Sequence, residues 1–485
     1  MEFFVVNTWS DRIPSNRSPW VDLLRGLAVI IMIEVHATNV WYQGVVPSWL
    51  NFINGLVAPS FLMCAGFSMT LSTFQTDGSL RPFKGVLPRY AFILLCAYLL
   101  HAPGLALAQW TVLSTPQLFR ELFKIDVLQC VVFSLLILQG LARTIRHRTM
   151  FGFIALAMGI SVALLSPYLW ITGFGDWLSL PLRGLFNGIT DRGVTALFPL
   201  FPWFAFVSFG SALGTLYASR RIDIHNDQTR WSESTFIFTL LGIGVVIWLW
   251  GQWQKETWLW SGSWVTDLAG TKRLNGWTQN ELYALYNQTL PSVLERFGWI
   301  LMIGCTLGLL HSRWGNSKIF SLLDLVSRES LLVYILHLQI IFGVLLYPFI
   351  TNVTGWGWKS QGVLGTLIFI VGIISLNLIA AVQWQKIRKQ PILMRRLQLK
   401  GLSVLLVWFL VGHWWTYLYY LKSPELATEP YPFLNAARVR KGLAPTSDGM
   451  ALNESEFLRE MERRGKTYSE ATLKEKLEII RRRQP

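Results

Sequence analysis

The feature that most constrains this chain is a succession of apolar runs, each about 20 residues long, separated by short polar segments. At 1.5 Å per residue, a helix of about that length crosses the roughly 30 Å of hydrocarbon in a bilayer. About eleven such runs lie near 22–42, 52–74, 89–108, 125–142, 149–171, 195–218, 234–251, 292–311, 328–350, 363–384 and 402–421. Composition agrees, because 52% hydrophobic and 15% charged residues with a mean hydropathy of +0.39 are too apolar for a soluble domain of this size. The expected fold class is therefore all-α, a polytopic membrane helix bundle of about eleven transmembrane helices.

Charge placement supplies an orientation. Basic clusters occupy every second loop: Arg81, Lys84 and Arg89; Arg143, Arg146 and Arg148; Arg220 and Arg221; Arg313 and Lys318; then Lys386 through Lys400. They share a side with the N-terminus, which the positive-inside rule makes cytoplasmic. The same clustering explains the net charge of +15, so no nucleic-acid partner is implied. The opening residues lack a basic start followed by an apolar core, which makes the first span an uncleaved insertion signal. Cys64, Cys96, Cys130 and Cys305 all fall in or beside apolar runs and form no paired framework or metal motif. Three regions follow: a cytoplasmic segment 1–20, a transmembrane region 21–421, and a charged extramembrane tail 422–485. In that small polar helical C-terminal tail, Asn453 with Glu456 and Thr467 with Glu470 signal two short helices. The tail and the Trp-rich loop 252–291 are candidate contacts for membrane protein partners.

Polar residues inside the apolar runs point to chemistry, since an ionisable side chain at that depth costs at least about 2.5–3.5 kcal/mol and needs a partner or a function. The first run, VDLLRGLAVIIMIEVHATNVWY, holds Asp22, Arg25, Glu34, His36 and Asn39. Asp22 and Arg25 share a helix face, as do His36 and Asn39. Glu34 lies two positions from His36, about 200° around the helix, and should have a partner of its own. A second constellation is Asp191 and Arg192 followed by FPLFPWFAFVSFGSALG, residues 198–214. There Pro199 and Pro202 break the helical ladder and mark either a cavity wall or a kinked helix packed through Gly210 and Gly214. A third is SRESLLVYILHLQ, residues 327–339, which stacks Ser330, Tyr334 and His337 on one face. Two histidines in separate spans raise axial haem ligation, but the other five lie scattered near span ends, which argues against it. No metal motif is present, and no GxxxxGK[ST] loop points to nucleotide hydrolysis.

With these residues in view, WVDLLRGLAVIIMIEVHATN followed by GLVAPSFLMCAGFSMTLS resembles the opening of the transmembrane acyltransferases related to heparan-α-glucosaminide N-acetyltransferase, and more distantly the membrane O-acyltransferases that modify bacterial polysaccharides. FPLFPWFAFVSFGSALG and SRESLLVYILH resemble two further family segments in the same order, so the likeness runs over most of 17–420. It implies transfer of an acyl group, commonly acetyl, from cytosolic acyl-CoA to a hydroxyl or amine of an extracytoplasmic glycan or small-molecule acceptor. A bacterial inner membrane is the location it suggests. His36 and His337 are then the catalytic candidates, because an imidazole can take a proton from the acceptor or itself carry the acyl group. Arg25, Arg313, Lys318 and Arg328 suit the phosphates of CoA, with Asp22, Asn39, Asp191, Arg192, Ser330 and Tyr334 in supporting positions. The lysosomal branch carries Asn at the position of His36 and a His in the following loop. Here that loop, QGVVPSWLNF, has none, so either His36 takes the role or the chain has lost catalysis. The alternatives are a catalytically silent subunit of a membrane complex, and a transporter.

Overall fold

A computed structural model describes residues 18–75, 79–101, 122–172, 174–175, 177–187, 189–190, 193–194, 196–225, 233–254, 287–315, 317–346 and 348–390. These are helical apart from short turns and one two-residue antiparallel ladder, β1 (Ile189–Thr190) with β2 (Gly193–Val194). The helices are α1 (Pro19–Trp41), α2 (Ser48–Asn54), α3 (Val57–Thr73), α4 (Leu87–His101), α5 (Val127–Ile145), α6 (Arg148–Thr172) and α7 (Leu180–Phe186). They continue with α8 (Leu200–His225), α9 (Glu233–Gln254), α10 (Leu290–Trp314), α11 (Lys318–Arg328), α12 (Ser330–Leu338), α13 (Pro348–Thr354) and α14 (Val363–Arg388). Among the described residues seven stretches are long and apolar enough to span a bilayer, drawn from α2–α3, α5, α6, α8, α9, α10 and α14. The fold is that of an integral membrane protein. The run 402–421, the tail 422–485 and most of the loop 252–291 lie outside the described residues.

Two of the expected spans are interrupted. The run 52–74 divides at the Asn54–Gly55 pair, a dipeptide that favours turns, so that α2 and α3 meet across Gly55 and Leu56. The run 328–350 is not one helix. Glu329 leaves the helical region (φ −104°, ψ 24°), α12 covers only nine residues, and a π-helical stretch follows from Gln339 to Leu345. At the break Glu329 is buried, 4% exposed, and its carboxylate meets the cation it needs there, Arg388 at the end of α14.

Neighbouring helices approach closely where glycines face backbone. A side chain at Gly66 on α3 would place Cβ 1.9 Å from the Val207 carbonyl of α8, and one at Gly210 on α8 would lie 2.0 Å from the Met63 carbonyl of α3. Ser211 Oγ donates to Gly66 O at 3.1 Å and Thr70 Oγ1 to Ser211 O at 3.2 Å across the same seam. Without a hydrophobic driving force in lipid, such contact and interhelical hydrogen bonding hold the pair. α1 stands between two packed regions. Trp20, Val21 and Leu24 at its start join a core built with α3, α5, α8 and α10, whereas Val29, Ile33, Ala37, Val40 and Trp41 pack with α12 and α14.

The bundle has two ends of different chemistry. At the first, Arg25 Nε donates to Ser327 Oγ (3.0 Å), and Arg143 Nη2 donates to the Arg81 carbonyl (3.0 Å) while its guanidinium covers the Phe83 ring. At the other, the chain after α13 docks on the end of α1, Gln361 N to Trp41 O at 2.8 Å and Gln43 N to Gln361 O at 2.9 Å.

Candidate functional site

α1 and α12 bring the two expected histidines together. The His36 and His337 rings lie 5.4 Å apart between centroids, tilted by 41°, and Phe342 of the π-helical stretch closes on His36 at 5.9 Å. His337 is completely buried. Its Nδ1–H donates to the Val333 carbonyl one turn back, at 2.8 Å, which leaves the lone pair of the neutral ring on Nε2. That nitrogen is enclosed and has no hydrogen-bond partner among the described residues. Tyr334 sits edge-on to His337 at 5.7 Å, so the stripe on α12 is real for these two. The helix widens into the π-helical stretch two residues after His337, a geometry that is frequent at functional sites.

A second pair lies beside the first and was not among the expected site residues. His101, the last residue of α4, donates from Nε2 to Asp126 Oδ2 at 3.2 Å. Asp126 is the N-cap of α5: its Oδ1 accepts from Val127 N at 2.7 Å, and Gln129 Oε1 accepts from Asp126 N at 3.2 Å, a reciprocal capping box. The preceding residue, Ile125, bridges to Ala196, and its carbonyl receives Leu197 N at 2.8 Å, so the loop before α8 fixes the start of α5. Val127 and Leu128 then pack with Tyr334, with Met32 of α1 against the same cluster. The start of α5 is thereby packed one turn from His337 on α12, through Tyr334, and one turn from His36 on α1, through Met32. Gln129 is fully buried and its Nε2 is without a partner among the described residues.

The remaining candidates separate. Glu34 does have its own partners: Thr38 Oγ1 donates to it at 2.6 Å, and the Asn54 amide, turned so that both its ends are satisfied, donates at 2.8 Å. Asn39 is exposed, and Ser330 begins α12, one turn before Tyr334. Arg25 is tied on three sides, to Asp22 (2.5 Å), Ser327 (3.0 Å) and Ser68 (3.4 Å), so the expected Asp22–Arg25 pair also joins α1 to α3 and α11. Arg313 lines an open cleft of His311 to Gly315 and Ser317 at the turn into α11, Lys318 begins that helix, and Arg328 pairs with Asp324 at 2.6 Å. The lining of that cleft does not include Arg25. Asp191 and Arg192 lie outside the described residues. The 198–214 segment resolves into a kinked, glycine-packed helix. Phe201 departs from helical geometry, the Trp170 indole donates to its freed carbonyl at 3.1 Å, and Phe204 to Val207 are buried. No group of His, Cys, Asp and Glu suited to a metal occurs among the described residues.

Fold and site together define an integral membrane protein with a cluster of acid–base side chains, among which His337 and Tyr334 are buried and His36, His101 and Asp126 half-buried. A family model described as "Heparan-alpha-glucosaminide N-acetyltransferase, catalytic" matches residues 17–252, just under half of the chain. Over that stretch, which holds Arg25, His36, His101 and Asp126 but ends before His337, the chain is related to the heparan-α-glucosaminide N-acetyltransferase-like membrane acyltransferases. No curated protein and no solved structure matches it.

Proposed function

We propose that this protein is a membrane-embedded acyltransferase that moves an acyl group, acetyl in the first instance, from acyl-CoA to a hydroxyl or amine of an acceptor on the opposite side of the membrane, a glycan being the leading class. The observation that carries the reading is the facing pair His36 and His337, one with an unpartnered buried Nε2, in a chain related to membrane acetyltransferases. The donor is taken from the cytoplasmic side, where Arg25, Arg313, Lys318 and Arg328 offer guanidinium and ammonium groups to the CoA phosphates. Eleven residues separate Arg25 from His36, about 16 Å along the helix, so the thioester end of an extended donor has to reach toward the histidines.

His36 accepts the proton of the attacking hydroxyl or amine as the new acyl bond forms. The carbon–sulfur bond of the donor breaks, and the departing thiolate recovers that proton from the imidazolium, which restores the ring. If His36 instead carries the acyl group, its nitrogen attacks the thioester and expels the thiolate, which takes the ring proton; the acceptor then attacks the acyl-imidazole, the carbon–nitrogen bond breaks, and the ring recovers a proton from the acceptor. The closed surroundings of His337 favour either route by excluding water, the competing acceptor.

Incubation of the purified protein with labelled acetyl-CoA tests the proposal. Expected are thioester consumption with label on an added acceptor or on His36, and a loss of about a hundredfold or more in the His36→Ala variant at equal protein yield. Failure to consume thioester, bind CoA or take up label overturns it; solute flux without CoA would then identify a transporter.

A further inference from the structure

Asp126 and His101 have no part in the transfer steps just described, yet the helix start that Asp126 caps packs on Tyr334 and Met32, one turn from His337 and from His36. Several features distinguish the pair from a helix cap alone. The carboxylate is held from two directions, by Val127 N on Oδ1 and by His101 Nε2 on Oδ2, so its charge has a fixed position. The backbone before it is locked to the loop preceding α8 through Ile125. The residues after it, Val127 and Leu128, pack on Tyr334, which in turn lies edge-on to His337. A helix cap needs only the Oδ1 contact; the second oxygen, turned to a histidine at the end of another helix, is surplus to capping. The buried, unpartnered Nε2 of Gln129 lies one turn beyond, so the start of α5 also presents a donor that nothing among the described residues uses.

We propose that Asp126 is a positioning residue of the acyl-transfer site. Its fixed carboxylate stabilises the positive charge that arises on His36 when that ring takes the acceptor's proton, and His101 holds the carboxylate in place. This inference rests on the acyltransferase reading. The atoms balance as before: the proton passes from acceptor to His36 and from His36 to the departing thiolate, and Asp126 neither gains nor loses one. The carboxylate acts on His36 through space, its own hydrogen bonds going to His101 and Val127 N, and it does not titrate during the cycle.

Asp126→Asn isolates the charge, because Asn caps a helix as well as Asp does. Wild type, Asp126→Asn, His36→Ala and the double variant are compared as full-length protein in lipid nanodiscs with acetyl-CoA. The expected result for Asp126→Asn is an unchanged melting temperature, an unchanged KM for the donor, and a kcat reduced about tenfold or more. In the His36→Ala background the same substitution should have no further effect, since the group it acts through is already absent. A wild-type kcat in Asp126→Asn overturns the inference, as does an equal fold-loss with and without His36. Absence of turnover in the wild-type protein overturns the acyltransferase reading and this inference with it, so the two failures are distinguishable.

Discussion

His36 and His337 lie 301 residues apart in the sequence and meet only because α1 packs against α12. The enclosed Nε2 of His337 is a cost to the fold: a buried acceptor left without a hydrogen bond forfeits roughly 1–3 kcal/mol. Replacing His337 with Phe removes that acceptor and keeps a ring of similar size in the site. The expected outcome is a melting temperature equal to or above that of wild type, together with a loss of transfer of about a hundredfold, read as thioester consumption by the same preparation. A variant that is fully active would make His337 a packing residue. In the sequence, the expense of an imidazole at membrane depth was enough to single out both histidines, and helix geometry was enough to separate Glu34 from His36. Asp126 and His101 were not singled out because each has an ordinary local role, one at a helix start and the other at a helix end. The available signal was the Asp126–Gln129 capping spacing at the edge of an apolar run, which locates a helix start and says nothing of what the second carboxylate oxygen faces.

Among the elements, the glycine seam between α3 and α8 and the break between α11 and α12 contrast in how far they could be read beforehand. Gly210 and Gly214 stood out as a small-residue spacing; the contacts of Gly210 fall on the backbone of Met63 in α3, where no side chain can give way, and those of Gly214 on the Phe67 backbone and Thr70 Cβ. Gly210→Leu is therefore expected to lower stability by about 1–3 kcal/mol or more and to reduce the yield of folded protein in detergent, measured by thermal unfolding; an unchanged melting temperature would contradict the packing described. The break at Glu329 is a tertiary effect. SRESLLVYILH has no Pro or Gly to end a helix, and the residue at the interruption pairs with Arg388, on a helix that begins 34 residues further on. Removing the cation, as in Arg388→Ala, leaves Glu329 buried without its ion-pair partner. Because Arg388 is itself half exposed, the expected consequence is destabilisation of about 1–3 kcal/mol, read in the same unfolding experiment, with rescue by Glu329→Gln in the double variant. Absence of rescue would detach the break from the ion pair.

At the scale of the whole molecule, the two ends of the bundle differ as the acyltransferase reading requires. Arg25, Arg81 and Arg143 gather at one end, and the acid–base cluster lies toward the other, where the residues around Gln361 close over the end of α1. The length of the apolar runs was sufficient to infer a helical membrane protein. Which helices are neighbours was not legible, because nearly all the runs are alike in composition and the specificity resides in a few glycine contacts and polar bonds between distant residues. The exposed aliphatic faces of α14, where Leu364 and Ile368 are 73% and 64% exposed, fit contact with lipid. Transfer at the paired histidines, from a donor on the Arg25 side to an acceptor on the other, can be read in sealed vesicles holding the protein in one orientation. Labelled acetyl-CoA is supplied on the Arg25 side only, and label is measured on an acceptor confined to the opposite side. Expected are transfer by wild-type protein from that side alone and its loss in His36→Ala. Transfer that survives His36→Ala, or that proceeds equally from either side, would contradict this proposal.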